Sequence, residues 1–331
     1  MTTITVSSGV TSSGLTISAG DQIIVLSGGA IQSVTVRSGG AELISSGGTA
    51  TGSTIQGEED VYAGGTATGT FVQAPGEQQV LSGGVAIGAT IHWIEYISAG
   101  GAASGITISG GGQTIVDGRA SGTTISAGGL ESVSSGGVTI AAEVLSGGAE
   151  EIDAGGVASA ATVLGSGVQY VHSDGIASGT TVLRGGELVI TSGGVASATL
   201  LYGKEDIDAR GAADGTTVSS GAVAYVLSGG VASGTLVSNG GQELVRAGVA
   251  RGTTLSTGSV EYVSSGGVAS AATVLSGGAD VALTGGGSFG NGCERRRSRG
   301  RLLGRRCERD HGAERRDAIR SEFGNGLGDG G

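Results

Sequence analysis

The chain has 331 residues, 71 of them glycine against one proline, three phenylalanines and one tryptophan; this leaves too little aromatic volume for a conventional globular core. Yet 38% of the residues are hydrophobic and recur at fixed positions, which excludes a disordered Gly-rich linker. The net charge of −11 divides at Gly292 into −15 before it and +4 after it, and an acidic body of that kind excludes nucleic acid as its partner.

The N-terminal stretch MTTITVSSGVTSSG has neither a basic n-region nor an apolar h-region, so no Sec signal is expected in it. No run of 18 apolar residues exists, which excludes a membrane-spanning helix. From Gly9 the chain repeats one unit, opened by Gly9, Gly29, Gly48, Gly65, Gly84, Gly101, Gly118, Gly137, Gly156, Gly175, Gly194, Gly211, Gly230, Gly248, Gly267 and Gly286. Most steps are 19 residues, four are 17, and one each is 18 and 20. A fixed period of this length marks a solenoid.

Seven places after the opening glycine stands an aliphatic residue, from Ile55 through Val163 and Val182 to Val274, and two places after it stands alanine, from Ala50 to Ala269, with Thr139 as the exception. β-Branched residues favour pleated strands, and Gly-Gly or Asp-Gly ends them where φ > 0 is needed. Each unit then holds two short strands, such as TTVLR and ELVIT after Gly175. Stacked as coils, identical positions form internal ladders with parallel pairing, whereas antiparallel hairpins would leave one face of a thin sheet exposed. The predicted fold is all-β, a parallel β-helix or β-solenoid of about fifteen coils over residues 1–286, roughly 70 Å long.

Two stretches depart from the pattern. Ile91-His92-Trp93-Ile94-Glu95-Tyr96 reads as a bulky loop packed against a coil edge, and Tyr202-Gly203-Lys204-Glu205-Asp206-Ile207-Asp208 as a solvated corner. After Gly286 the period ends, and eleven arginines fall between Cys293 and Arg320. Residues 287–331 read as an irregular Arg-rich tail, either disordered or a reading-frame artefact of GC-rich repeat codons. Cys293 and Cys307 lie outside the repeats, so no disulfide framework or cysteine metal site supports the body.

The units GGVASGTLVSNGGQELV from Gly229, SGGVASAATVLSGGAD from Ser265 and DGIASGTTVLRGGELVITSGG from Asp174 resemble the strand-loop-strand repeats in passenger domains of AIDA-type autotransporter adhesins. The resemblance implies a bacterial cell-surface or extracellular solenoid acting in adhesion, self-association or biofilm formation through host-cell or bacterial surface components. It also implies O-linked heptose on loop serines, added by a dedicated heptosyltransferase. The ten-residue alternating strands of a translocator barrel are not among these residues. Serines directly before Gly-Gly recur at Ser27, Ser38, Ser46, Ser82, Ser135, Ser146, Ser192, Ser228, Ser265 and Ser276, the glycosylation candidates. On the residues alone, a turn-favouring role for serine explains them as well as modification does.

Residues with the pattern of chemistry are few. His92, His172 and His311 are far apart, so no Ser-His-Asp arrangement can be argued. A phosphate loop cannot be built around Lys204, the only lysine, and the calcium pattern G-G-x-G-x-D does not occur. No catalytic residue, metal or cofactor is expected, and the chain reads as a non-enzyme. Two other readings are set beside the adhesin. A polysaccharide-acting β-helix enzyme would use the cluster Lys204, Glu205, Asp206, Asp208 and Arg210. An ice-binding solenoid would use the threonine column Thr124, Thr181, Thr217 and Thr254, which Phe71, Glu143, Leu200 and Leu236 interrupt.

Overall fold

The computed structural model describes residues 2–172 and 174–293, together with the strand Cys307–Glu308. The rest of the Arg-rich tail, with its expected disorder or frame error, lies outside the described residues. Every strand pairs with its counterparts in neighbouring coils, giving three parallel sheets: sheet A of mostly four-residue strands, sheet B of three-residue strands and sheet C of two-residue strands. Sheets B and C hold 16 strands each, so the stack is about 70 Å long at ~4.8 Å per coil. No helix occurs among the described residues, and none is therefore long and apolar enough to cross a membrane. The expected parallel solenoid is the fold.

The coil itself differs in one respect from the two strands expected. Val168–Val171 in sheet A is followed by Ile176–Ser178 in sheet B and Thr181–Val182 in sheet C, so each coil has three. The additional strand is only three residues long with a small residue, mostly alanine, at its centre, and its extended form comes from ladders to the strands above and below, such as Ile176↔Val157 and Ile176↔Val195. Tyr202-to-Asp208 is likewise not one corner: only Tyr202-Gly203 and Asp208, at its ends, lie outside a strand. Lys204–Ile207 is a sheet A strand in register with Glu187–Ile190, and the charges alternate across it. The His92-Trp93 pair is a shortened corner between the strands Thr90–Ile91 and Ile94–Ile97, with the Phe71 and His92 rings edge to face at 5.0 Å.

Alternation puts the second and fourth residues of each sheet A strand inside. The fourth column is aliphatic, as in Val171, Ile190 and Ile207, and meets the expected sheet C column of Val163, Val182 and Leu201, all fully buried. The second column is largely acidic: Glu42, Glu59, Glu95, Glu131, Glu150, Glu205, Glu243 and Glu261 are all 0% exposed. Alanine lines the facing strand of sheet B and leaves room for a long side chain to lie across the coil. A hydroxyl from the residue before sheet C then donates to it: Ser53 to Glu42 (3.0 Å), Thr70 to Glu59 (3.2 Å), Thr123 to Glu131 (2.9 Å) and Thr253 to Glu243 (2.8 Å). The exception in the alanine column has the same use, since Thr139 donates to Glu150 at 2.7 Å.

Candidate functional site

The corners join the strands and carry the side chains that differ most from the core. From sheet A to sheet B the chain turns through four residues, as at Leu26-Ser27-Gly28-Gly29, where the Gly29 amide donates to the Leu26 carbonyl at 2.8 Å. The two glycines answer different demands. Gly28 has φ +73, the left-handed region that favours glycine. Gly29 and its equivalents are not in that region. A Cβ on Gly48 would stand 2.6 Å from the Val25 carbonyl oxygen of the preceding coil, so this glycine is a close-approach residue. In the first described coil Val10 occupies the equivalent place, its amide donating to the Ser7 carbonyl.

All ten candidate serines lie at corners and are exposed. Ser27, Ser46, Ser82, Ser135, Ser192, Ser228 and Ser265 form one column between sheets A and B, and Ser38, Ser146 and Ser276 a second between sheets C and A. The hydroxyls of Ser27, Ser46, Ser82 and Ser135 sit beside the corner glycine one coil on. A Cβ on Gly47 would lie 2.7 Å from Ser27 Oγ, on Gly64 2.7 Å from Ser46 Oγ, and on Gly100 2.6 Å from Ser82 Oγ. Glycine there keeps the hydroxyl uncovered. In the second column Ser146 Oγ lies 3.0 Å from Ser166 Oγ. Ser8 and Ser220 are exposed in the same corner positions, and the requirement for Gly-Gly missed them because Val10 and Ala222 follow; counting from the strand end would have found both.

The other sequence candidates are not brought together. Glu205 points into the core, and burial pushes its carboxyl up to about 7. Lys204 and Asp206 point outward, with Lys204 Nζ 2.6 Å from Asp206 and 2.7 Å from Glu187. Burial would lower the Lys204 ammonium, but the hydrogen bonds and charges of these two carboxylates outweigh it and hold it above the lysine range. Asp208 and Arg210 stand at the next corner. The five side chains thus sit on both sides of one wall and converge on no groove. Thr124, Thr181, Thr217 and Thr254 do line the outer face of sheet C, but Glu143, Leu200 and Leu236 are paired directly beside them. His92 and His172 are at different corners, the latter 3.0 Å from Asp153; His311 lies outside the described residues. No group of three or more metal-ligating side chains occurs among the described residues.

No protein-family model matches the chain, and no curated protein sequence does. Among solved structures it is similar to a TibA fragment, residues 55–350, hyper-glycosylated by TibC. The two share 32% identity and a TM-score of 0.68, with 86% of this chain and 98% of that one covered. This chain belongs to the AIDA-type autotransporter adhesin passengers. The likeness spans the repeat that carried the resemblance in the sequence, so in this AIDA-type passenger the exposed corners are the positions at which to look for function.

Proposed function

We propose that this AIDA-type passenger is a surface-displayed adhesive rod whose corner serines carry sugars added by a heptosyltransferase. The rod would present those columns to host-cell or bacterial surface components and to other copies in self-association and biofilm. The observation that carries the reading is the exposure of the ten candidate serines in two corner columns, with glycine one coil on beside the hydroxyls of Ser27, Ser46, Ser82 and Ser135. The TibA neighbour, hyper-glycosylated by TibC, supports the choice of modification over a mere turn preference. An enzyme reading one corner shape could act on many coils, and the attached sugars would shield Gly-rich backbone from proteases. Bacteria displaying the chain, with and without a co-expressed heptosyltransferase, test this. Sedimentation and attachment to cultured cells should rise above those of a strain lacking the chain, and no gain in either would contradict the adhesive role.

A further inference from the structure

The inner acid column has no cation to answer it. No lysine, arginine or histidine is among the buried side chains of the described residues, and in four places two acids of this column occupy adjacent coils in register: Glu42↔Glu59, Glu131↔Glu150, Glu243↔Glu261 and Glu261↔Asp280. Within the first two pairs one carboxyl is satisfied and the other is not. Glu59 accepts from Thr70 and Gln78, and Glu150 from Thr139 and Gln169. Glu42 and Glu131 each leave one buried oxygen without a partner. In the third pair Glu243 accepts from Thr253 at one oxygen and leaves the other without a partner, while both oxygens of Glu261 have none. A buried carboxylate without donors is costly, and two neighbouring ones cannot both ionise. A proton on the unsatisfied member resolves both problems, because its O–H can then donate to the neighbour.

The groups that could compete are few. Facing the first pair are Ala50, Ala67, Ser53 and Thr70, with Gln78 above; Glu58 and Asp60 stand on the outer side of the same strand. Facing the second are Thr123 and Thr139, with Thr114 below and Gln169 above and Glu95 two coils away. Facing the third are Ala250, Ala269 and Thr253, with Asp280 above. We propose that Glu42, Glu131 and Glu261 are neutral acids in the folded rod, each sharing its proton with the carboxylate one coil away, so that the solenoid forms with uptake of protons and is tightest in acid.

The direction of titration agrees. Burial, with the neighbouring carboxylate next, pushes Glu42 and Glu131 well up and Glu261 to about 9. A carboxyl raised above its unfolded value of about 4.3 gives stability that is complete below that pH and is lost as pH rises through the folded value. The chain also contains its own neutral analogue, since Gln78 and Gln169 occupy the same column beside Glu59 and Glu150.

Infrared spectroscopy of the folded full-length chain at pH 7 tests the proposal without any substitution. A protonated-carboxyl carbonyl band should be present, vanish on unfolding, and weaken by the share of three carboxyls in the triple variant Glu42→Gln, Glu131→Gln, Glu261→Gln, leaving the part that Glu95 and Glu205 contribute. Denaturant titration gives a second reading: between pH 5 and 9 the unfolding equilibrium constant of the native chain should rise about tenfold per pH unit for each linked proton, and the triple variant should lose the part of that rise owed to its three protons. Absence of the band in the folded native chain overturns the proposal, as does a variant that keeps the full pH slope. Should the variant fail to fold, the native infrared spectrum decides alone.

Discussion

Glycine shows how one residue type meets separate constraints within a single coil. Gly48 faces the Val25 carbonyl, while Gly52 has φ +67 and its nearest neighbour, Ser33 Oγ, is 4.0 Å away. At positions equivalent to Gly52 the chain itself uses Ala141, Ala160, Ala198 and Ala271 at φ of 55 to 57. Gly48→Ala should therefore cost about 1–3 kcal/mol as overpacking, and Gly52→Ala no more than about 1–2 kcal/mol of left-handed strain; thermal melting of the two variants orders them, and equal losses would contradict the distinction. Val163→Asp or Val182→Asp would place an unpaired charge in the apolar column at a cost of several kcal/mol, roughly 3–5. Glu151→Asp, on the outer face, should be close to silent. The inner acids were readable in principle: Glu131 stands two residues before the inward Val133 and so shares its face, but a glutamate in a short strand reads first as a solvent-facing residue. Glu95, flanked by Gln78 and Thr114, is an isolated member, and burial pushes it to about 8. Glu95→Gln should leave stability unchanged at pH 4 and raise it on the order of a few kcal/mol at pH 9, measured by denaturant midpoint at both pH values.

At the scale of the strand and corner, the period and the aliphatic and alanine columns were legible because identical positions stack and each must satisfy the same neighbours. The sheet B strand was not, because three residues around a central alanine are too short to show an alternation and are held by their ladders to neighbouring coils. The charged strand at Lys204–Ile207 was misread as a corner for a related reason: charge density hid an alternation that places Glu205 inside and its neighbours outside. Shortened coils show where length can change. Gln56-Gly57 replaces the four-residue turn seen at Arg37-Ser38-Gly39-Gly40, yet Glu58–Val61 keeps register with Ala41–Ile44. Deleting Ser146 and Gly147 together should thus cost little, about 1 kcal/mol or less. Deleting Thr162 alone should reverse the faces of the strand behind it and abolish the cooperative melt; comparable melting temperatures for the two deletions would contradict the corner-length rule.

Across the whole molecule, nine of the 22 acidic side chains before Gly292 lie inside, leaving thirteen to set the outer potential against seven basic ones. The rod is thus less acidic outside than its sequence states, which suits a surface meant to approach other surfaces. Its buried hydrophobic side chains run from Val6 to Val274 in three clusters, and its corners present serine in columns that run along its length. That arrangement, in a chain of the AIDA-type family, makes the corners the part of the molecule on which adhesion is expected to depend. Site-resolved peptide mapping of the chain co-expressed with a heptosyltransferase tests this most directly. Heptose mass additions are expected on peptides containing Ser27, Ser46, Ser82, Ser135, Ser192, Ser228 and Ser265, with fewer at Ser38, Ser146 and Ser276. Unmodified corner peptides throughout, or additions confined to the sheet faces, would contradict it.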